Sequence, residues 1–203
     1  MARTPPKLVL ASASPRRLAL LEQIGIKPDV VVASDIEEHQ ARGEKPEDMA
    51  RRLAEAKARA VARAHPGAVV LAADTVVACG RLALPKAETE DQAKACLKRL
   101  SGRGHRVISG VAVIDPAGRL RYRASLTRVK FKHLSVEEIA AYLARGEWRG
   151  KAGGYAIQGR AARFVSSIIG SYSAVVGLPI FETANLLDGA GFPINARLAE
   201  VSA

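Results

Sequence analysis

Two arginines stand in the first turn of a predicted helix, where positive charge is unfavourable. In Ser12-Ala13-Ser14-Pro15-Arg16-Arg17, Ser14 is the expected N-cap and Pro15 the first helical residue. A cation at a helix N-terminus costs about 0.3–1 kcal/mol at an exposed site. An anion bound there would meet free backbone N–H groups and two guanidinium groups, as phosphate recognition requires. The pattern therefore predicts an anion site, and two solvent-facing arginines are the alternative.

A carboxylate, Asp74, directly follows the apolar run Val69–Ala73, which predicts a buried strand. We expect Asp74 at the carboxyl end of that strand, the edge where open α/β sheets bind ligands. A carboxylate there could hold a divalent cation or take a proton from water. A capping or turn role before Thr75 is the alternative.

Other polar residues give weaker signals. Glu37 and Glu38 follow the second predicted strand and could supply another carboxylate to a magnesium site. Lys57 lies in a helix of mixed charge, a pattern typical of a solvated face. Lys86 follows Pro85 in a predicted loop. The four histidines have no metal-ligand spacing, so we expect each of them at the surface.

Charge is the main compositional signal, because 31 Lys and Arg against 20 Asp and Glu give a net charge of +11. Such an excess favours a phosphate-bearing or nucleic-acid partner, and an arginine-rich surface explains it equally well. An aromatic content of 4% argues against binding of single strands by base stacking. Two cysteines without a CxxC pair exclude a zinc or disulfide framework of the usual spacing.

The order of predicted elements indicates an α/β fold, with a mixed sheet flanked by helices, in one domain over residues 1–203. A division into two lobes around a cleft, with the hairpin and the Ser135 helix as the smaller part, is the alternative. Capping boxes at Thr89 and Ser135 begin two helices, and the turn at 116–118 predicts a β-hairpin. Late strands are expected at Phe164–Ile169 and Tyr172–Val176. No apolar run reaches the length that spans a bilayer, and the N-terminus lacks a signal-peptide pattern, so a cytoplasmic location is expected.

Five motifs in order along the chain, from about Lys7 to Leu187, resemble those of the Maf family of nucleoside triphosphate pyrophosphatases. Together they are far more specific than any one alone. They are Ser12-Ala13-Ser14-Pro15-Arg16-Arg17, Ala73-Asp74-Thr75-Val76-Val77, Leu100-Ser101-Gly102, Lys151-Ala152-Gly153-Gly154-Tyr155-Ala156-Ile157-Gln158-Gly159 and Val175-Val176-Gly177-Leu178-Pro179.

The resemblance implies a fold with a central cleft, similar to that of inosine triphosphate pyrophosphatases, and commonly a homodimer. It implies hydrolysis of a nucleoside triphosphate to the monophosphate and pyrophosphate with a divalent metal, Mg²⁺ or Mn²⁺. A house-cleaning role with a link to cell-division arrest (septum formation) is proposed for the family. The implied site comprises the catalytic residues Asp74 (general base), Lys57 and Lys86, the substrate-binding residues Ser14, Arg16, Arg17, Thr75 and Gln158, and the metal ligands Asp74 and Glu38, with Glu37 one position away.

Within the family, the segment that contains Gln158 resembles the branch that acts on dTTP and UTP, with Arg16, Thr75 and Gln158 recognising the base. Modified pyrimidine nucleotides are further candidate substrates. One departure is the order Pro85-Lys86, where the family usually has Lys-Pro; Lys86 keeps the spacing to the following helix. A preference for 7-methyl-GTP, a nucleotide sensor without hydrolysis, and a nucleic-acid-binding regulator are the alternatives. We expect no stable nucleic-acid complex and no membrane association.

Overall fold

The computed structural model describes residues 5–34 and 36–195. The described residues do not include 1–4 and 196–203, which belong to the expected domain, or position 35 in the predicted loop. The central sheet has seven strands in the order β2-β1-β3-β6-β7-β9, with β4 paired to β3. Their bounds are β1 Leu8–Ala11, β2 Val30–Val32, β3 Val69–Cys79, β4 Leu82–Leu84, β6 Gly104–Ile114, β7 Leu120–Phe131 and β9 Val165–Ile169.

Six α-helices surround this sheet, and the expected caps begin two of them. Thr89 and Ser135 each form a complete capping box, and β6 and β7 form the predicted hairpin. The prediction of a strand over Tyr172–Val176 is wrong: the segment is a short helix, capped by the Ser171 hydroxyl, which accepts from the Ala174 N–H. The helices are α1 Pro15–Gln23, α2 Pro46–Ala62, α3 Glu90–Leu100, α4 Val136–Leu143, α5 Tyr172–Val176 and α6 Ile180–Gly189, and a 3-10 turn spans Arg160–Phe164.

Side chains alternate across the sheet and divide the core into two layers. Along β3, Val69, Leu71 and Ala73 pack with the helices of one face, while Val70 and Ala72 pack against α2 on the other. The α/β prediction, a mixed sheet with helices on both faces, is confirmed. No helix of the described residues is long and apolar enough to cross a membrane.

The position expected for Asp74, at the end of its strand, is wrong. Asp74 lies inside β3, opposite Gly110 of β6. The parallel partner β1 stops at Ala11, which pairs with Ala72, whereas β3 continues to Cys79 with β6 and β4 as antiparallel partners. The residues that follow Asp74 and Thr75 are apolar and buried, and their pairing with β6 and β4 continues the strand to Cys79. The edge of β3 beside Asp74 and Thr75 is therefore not covered by β1, and a cleft opens there.

A two-stranded ribbon forms the opposite wall of this cleft. It pairs β5, Lys86–Ala87, with β8, Lys151–Ala152, so Lys86 lies in a short strand and not in the predicted loop. Gly153 follows β8 with a φ of 69°, and its N–H donates to the Pro85 carbonyl at 3.0 Å. A Cβ on Gly153 would stand 2.9 Å from a methyl carbon of Val77. The ribbon thus touches β3 at a point where only glycine fits.

We expect Gly153→Ala to lower the free energy of unfolding by about 2–4 kcal/mol, because the left-handed backbone and the contact with Val77 both oppose a Cβ. The matched control is Gly118→Ala in the hairpin turn, where φ is 80° and no atom lies within 4 Å of the new Cβ. This control should lose only about 1–2 kcal/mol. Urea unfolding of both variants measures the difference; equal losses would contradict close packing at Gly153.

Candidate active site

Four charged side chains of alternating sign form a row across the cleft. Lys57 Nζ lies 2.5 Å from Asp74 Oδ1 and 2.7 Å from Glu38 Oε1, and Lys86 pairs with the other oxygen of Glu38. Lys57 and Asp74 are only 4% and 3% exposed. The solvated face expected for Lys57 is therefore wrong, because the side chain points from α2 towards the sheet. Glu37 is exposed in the loop after β2.

The lysines control the ionisation of Glu38. Burial raises the pKa of this carboxyl, but the hydrogen bonds from Lys57 and Lys86 outweigh burial and hold the pKa below its usual value. Glu38 is consequently ionised at neutral pH. The row therefore carries two negative and two positive charges in the part of the cleft nearest α2.

The two arginines of α1 lie on the other side of the same cleft. Arg17 is fixed in place, because Nε donates to the Gly177 carbonyl at 2.9 Å and Nη1 to the Ser12 hydroxyl at 3.1 Å. Arg16 Nε is buried and has no hydrogen-bond partner among the described residues. Burial lowers the pKa of both guanidinium groups, and the charge of Arg17 adds to the effect at Arg16. Arg16 thus offers an unused donor to whatever enters the cleft.

Small hydroxyl residues support the arginines and Thr75. Ser14 caps α1 without a side-chain hydrogen bond and lines the cleft, while its N–H donates to the Ser12 hydroxyl. The Thr75 and Ser109 hydroxyls are 2.9 Å apart, and Ser109 donates to the Ala174 carbonyl. Neither Ser12 nor Ser109 was among the predicted site residues. Ser12 lies inside a recognised motif, whereas nothing local marks Ser109.

Gln158 lies at the mouth of the cleft, with its side chain exposed. The segment before it is buried, and Tyr155 is hydrogen-bonded to His105. The surface position expected for His105 is wrong: it is 3% exposed and packs edge-on against Phe131 and Tyr155. An inward-facing position in β6 explains this burial.

The cleft has two parts that meet between β3 and the ribbon. Because β3 side chains alternate, Asp74 faces α2 and its row of charges, while Thr75 faces Arg17 and Gly177. Lys86 and Ala152 of the ribbon border both parts. The predicted residues brought together around this junction are Ser14, Arg16, Arg17, Glu38, Lys57, Asp74, Thr75, Lys86 and Gln158.

The carboxylates at the junction fit a divalent cation that a phosphate ligand brings with it. Among the described residues, no three His, Cys, Asp or Glu side chains come together as a self-sufficient metal site. Asp74 and Glu38 do converge, since both contact Lys57 Nζ. Mg²⁺ in such sites commonly takes one or two carboxylates and completes its shell with water and substrate phosphates. Two hard oxygen donors beside the positively charged side chains of the cleft match that pattern.

Comparison with solved structures gives weak similarities. The Ham1 protein of Staphylococcus aureus matches with a TM-score of 0.44 and 18% identity, over 62% of this chain and 71% of that one. Similarity at this level adds nothing to the geometry described above.

Sequence comparison gives strong similarities. The chain is 64% identical to a dTTP/UTP pyrophosphatase of Paramagnetospirillum magneticum over 91% of its own length and 97% of the relative's. It is 58% identical to a protein of the same name from Maricaulis maris, over 96% of its own length and 93% of the relative's. The model of the family described as Maf-like protein matches residues 7–190. The chain therefore belongs to the Maf-like protein family.

Proposed function

We propose that this protein hydrolyses dTTP and UTP to the monophosphate and pyrophosphate, with a divalent metal. The observation that carries the proposal is the junction itself, where the Asp74–Lys57–Glu38–Lys86 row faces the unpartnered donor of Arg16. Relatives that are 58–64% identical over more than nine-tenths of the chain bear the name of this activity. The geometry of the site, its charge and the sequence similarity thus all support hydrolysis of a nucleoside triphosphate.

In this proposal the cations of the cleft bind the triphosphate. Arg16 and Arg17 stand at the start of α1 and would meet phosphate oxygens together with its free N–H groups. Lys57 and Lys86 approach from α2 and from the ribbon. Negative charge builds up on the departing pyrophosphate, and fixed cations stabilise that charge without rearrangement.

Asp74 is the proposed general base. Its Oδ1 contacts Lys57, and the other oxygen would take a proton from the water molecule that attacks the α-phosphorus. Asp74 and Glu38 would also hold the metal, which neutralises phosphate oxygens and lowers the pKa of bound water. Lys57 keeps both carboxylates oriented towards the junction.

Base selection follows from hydrogen-bonding capacity. Thymine and uracil carry a carbonyl acceptor at the 4-position, where cytosine carries an amino donor. The Gln158 amide has both donors and an acceptor, so the group that it presents to the base depends on how the side chain is oriented. Arg16 Nε is only a donor, and it is buried without a described partner. An arginine beside the base therefore favours a carbonyl, and we assign base recognition to Arg16, Gln158 and Thr75.

We also propose that the protein is a homodimer and that residues 1–203 form one domain. The cytoplasm is the proposed compartment, because its nucleotide pool supplies the substrate. No stable complex with nucleic acid is expected. Arg16, Arg17 and Lys86 line one cleft. Light scattering of the purified protein measures the oligomeric state.

Replacing the proposed base tests the mechanism. We expect Asp74→Asn to reduce pyrophosphate release at least about a hundredfold, because a positioned general base contributes about 10²–10⁴-fold. The matched control is Asp115→Asn, which alters a buried carboxylate bound to Arg119 outside the cleft and should keep normal turnover. Near-normal turnover by folded Asp74→Asn protein would remove Asp74 from the mechanism.

Metal removal gives a second test. Dialysis against EDTA should lower turnover by about a hundredfold or more, since a bound metal supplies several kcal/mol of charge stabilisation. Mg²⁺ or Mn²⁺ should restore it, and Ca²⁺ at equal concentration serves as the comparison ion. Full activity of the metal-free protein would exclude metal ligation by Asp74 and Glu38 as a requirement.

A substrate panel tests base selection and separates the alternatives. Pyrophosphate release should be fastest with dTTP and UTP, and slower with CTP and 7-methyl-GTP, because only a base with a carbonyl in the right place satisfies Arg16. If 7-methyl-GTP ranked first, the use of Gln158 as a branch marker would be wrong. Thermal stabilisation by nucleotides without any pyrophosphate release would indicate a sensor instead.

A further inference from the structure

A buried histidine supports the segment that carries Gln158, and no step described above uses it. His105 Nε2 and the Tyr155 hydroxyl are hydrogen-bonded at 2.8 Å, inside a cluster that includes the Phe131 ring. His105 Nδ1 is buried and has no hydrogen-bond partner among the described residues. A polar group left unpaired in an apolar cluster costs about 1–3 kcal/mol. Breaking the bond to Tyr155 would leave a second ring nitrogen of His105 unpaired, so the apolar surroundings favour the bond.

This restraint acts on a tight turn. The Gly159 N–H donates to the Ala156 carbonyl at 3.0 Å, which places Gln158 within the turn. Before the turn, the Ala156 N–H donates to the Tyr142 hydroxyl at 3.0 Å. After it, the Arg160 N–H donates to Glu147 at 2.8 Å. The backbone around Gln158 is therefore fixed at both ends by side chains from other parts of the fold.

Gln158 itself has no side-chain hydrogen bond within the described part of the chain. Its long side chain is exposed, and its amide can present either a donor or an acceptor to a base. A glutamine that can rotate or shift discriminates poorly between uracil and cytosine. Discrimination consequently depends on the backbone that limits where the amide can reach.

We propose that His105 is a positioning residue for base selection: through Tyr155 it fixes the turn that aims Gln158, and so it sets the preference for uracil and thymine over cytosine. This inference rests on the proposed function, in which Gln158 contacts the base. His105 does not touch the substrate, because Tyr155 lies between it and the cleft.

The ionisation of His105 agrees with a positioning role. Burial lowers its pKa to about 4, so the ring is neutral at physiological pH. Burial also keeps the Tyr155 hydroxyl protonated by raising its pKa well above the usual value. The pair is a neutral hydrogen bond throughout the physiological range, and it supplies no proton to the reaction.

The test compares kcat/KM for UTP with kcat/KM for CTP; where CTP turnover is too slow to measure, the inhibition constants of UMP and CMP give the base preference in binding. We expect Tyr155→Phe and His105→Leu to lower the UTP preference about tenfold, which corresponds to about 1.4 kcal/mol. His105→Gln places an amide nitrogen near the position of Nε2 and should retain the wild-type preference, as the conservative rescue.

The matched control is Thr183→Val, which removes a buried hydroxyl that donates to the Pro179 carbonyl at 2.7 Å, away from the cleft. It should lose stability without a change in base preference. In a Gln158→Ala background, Tyr155→Phe should have no further effect on the ratio.

Two results would overturn the inference, and they distinguish its failure from the failure of the proposed function. A wild-type ratio in Tyr155→Phe and His105→Leu, while Gln158→Ala alters it, would show that the turn holds without His105. A wild-type ratio in Gln158→Ala would remove Gln158 from base recognition, and with it that part of the proposed function. If His105→Leu does not fold, Tyr155→Phe alone decides, since it removes only the hydroxyl.

Discussion

The burial of one ammonium group between two carboxylates is the constraint on which the site depends. Taking Lys57 out of water costs several kcal/mol, and only good hydrogen bonds to Asp74 and Glu38 offset that cost. Helix α2 must therefore lie close to β3. Small residues allow this: a Cβ on Gly110, opposite Asp74, would stand 2.9 Å from the Ala50 carbonyl. The close packing of α2 on β3 and the burial of the Lys57 charge therefore depend on each other.

The two arginines at the start of α1 are subject to a related constraint. Two guanidinium groups at a helix N-terminus repel both each other and the helix dipole. The structure stabilises Arg17 with the Gly177 carbonyl and the Ser12 hydroxyl, and leaves Arg16 Nε without a described acceptor. An anionic or carbonyl-bearing ligand would remove that imbalance.

Local signals in the sequence were sufficient for much of this arrangement. The alternation of strands and helices, both capping boxes and the hairpin follow from short-range rules, and the structure has all of them. Tyr172–Val176 has the β-branched and aromatic composition of a strand, yet the Ser171 cap and the contact with the sheet make it a helix. Five residues are too few for periodicity to decide between the two.

Other features depend on pairings far apart in the chain. The burial of Lys57 and His105 requires partners from elements 17 and 50 residues away, Asp74 and Tyr155. The residues next to Lys57 and His105 in the sequence do not indicate these partners. Motif resemblance selected Lys57, because the family pattern includes it, and it gave no signal for His105. The pairing of Asp74 and Thr75 with β6 likewise joins segments far apart in the chain, which a local pattern does not reveal.

The alternation of Asp74 and Thr75 on opposite faces of β3 has a consequence for how this gene can change. Substitutions at neighbouring positions alter one contact at a time, but inserting or deleting a single residue early in β3 would exchange the two faces. A deletion would bring the Thr75 hydroxyl to the position that faces Lys57, whereas an insertion would bring the Asp74 carboxylate to the position that faces Arg17. Length variation in this strand is therefore far more damaging than most amino-acid replacements, while the turn at Gly118 between β6 and β7 can lengthen freely.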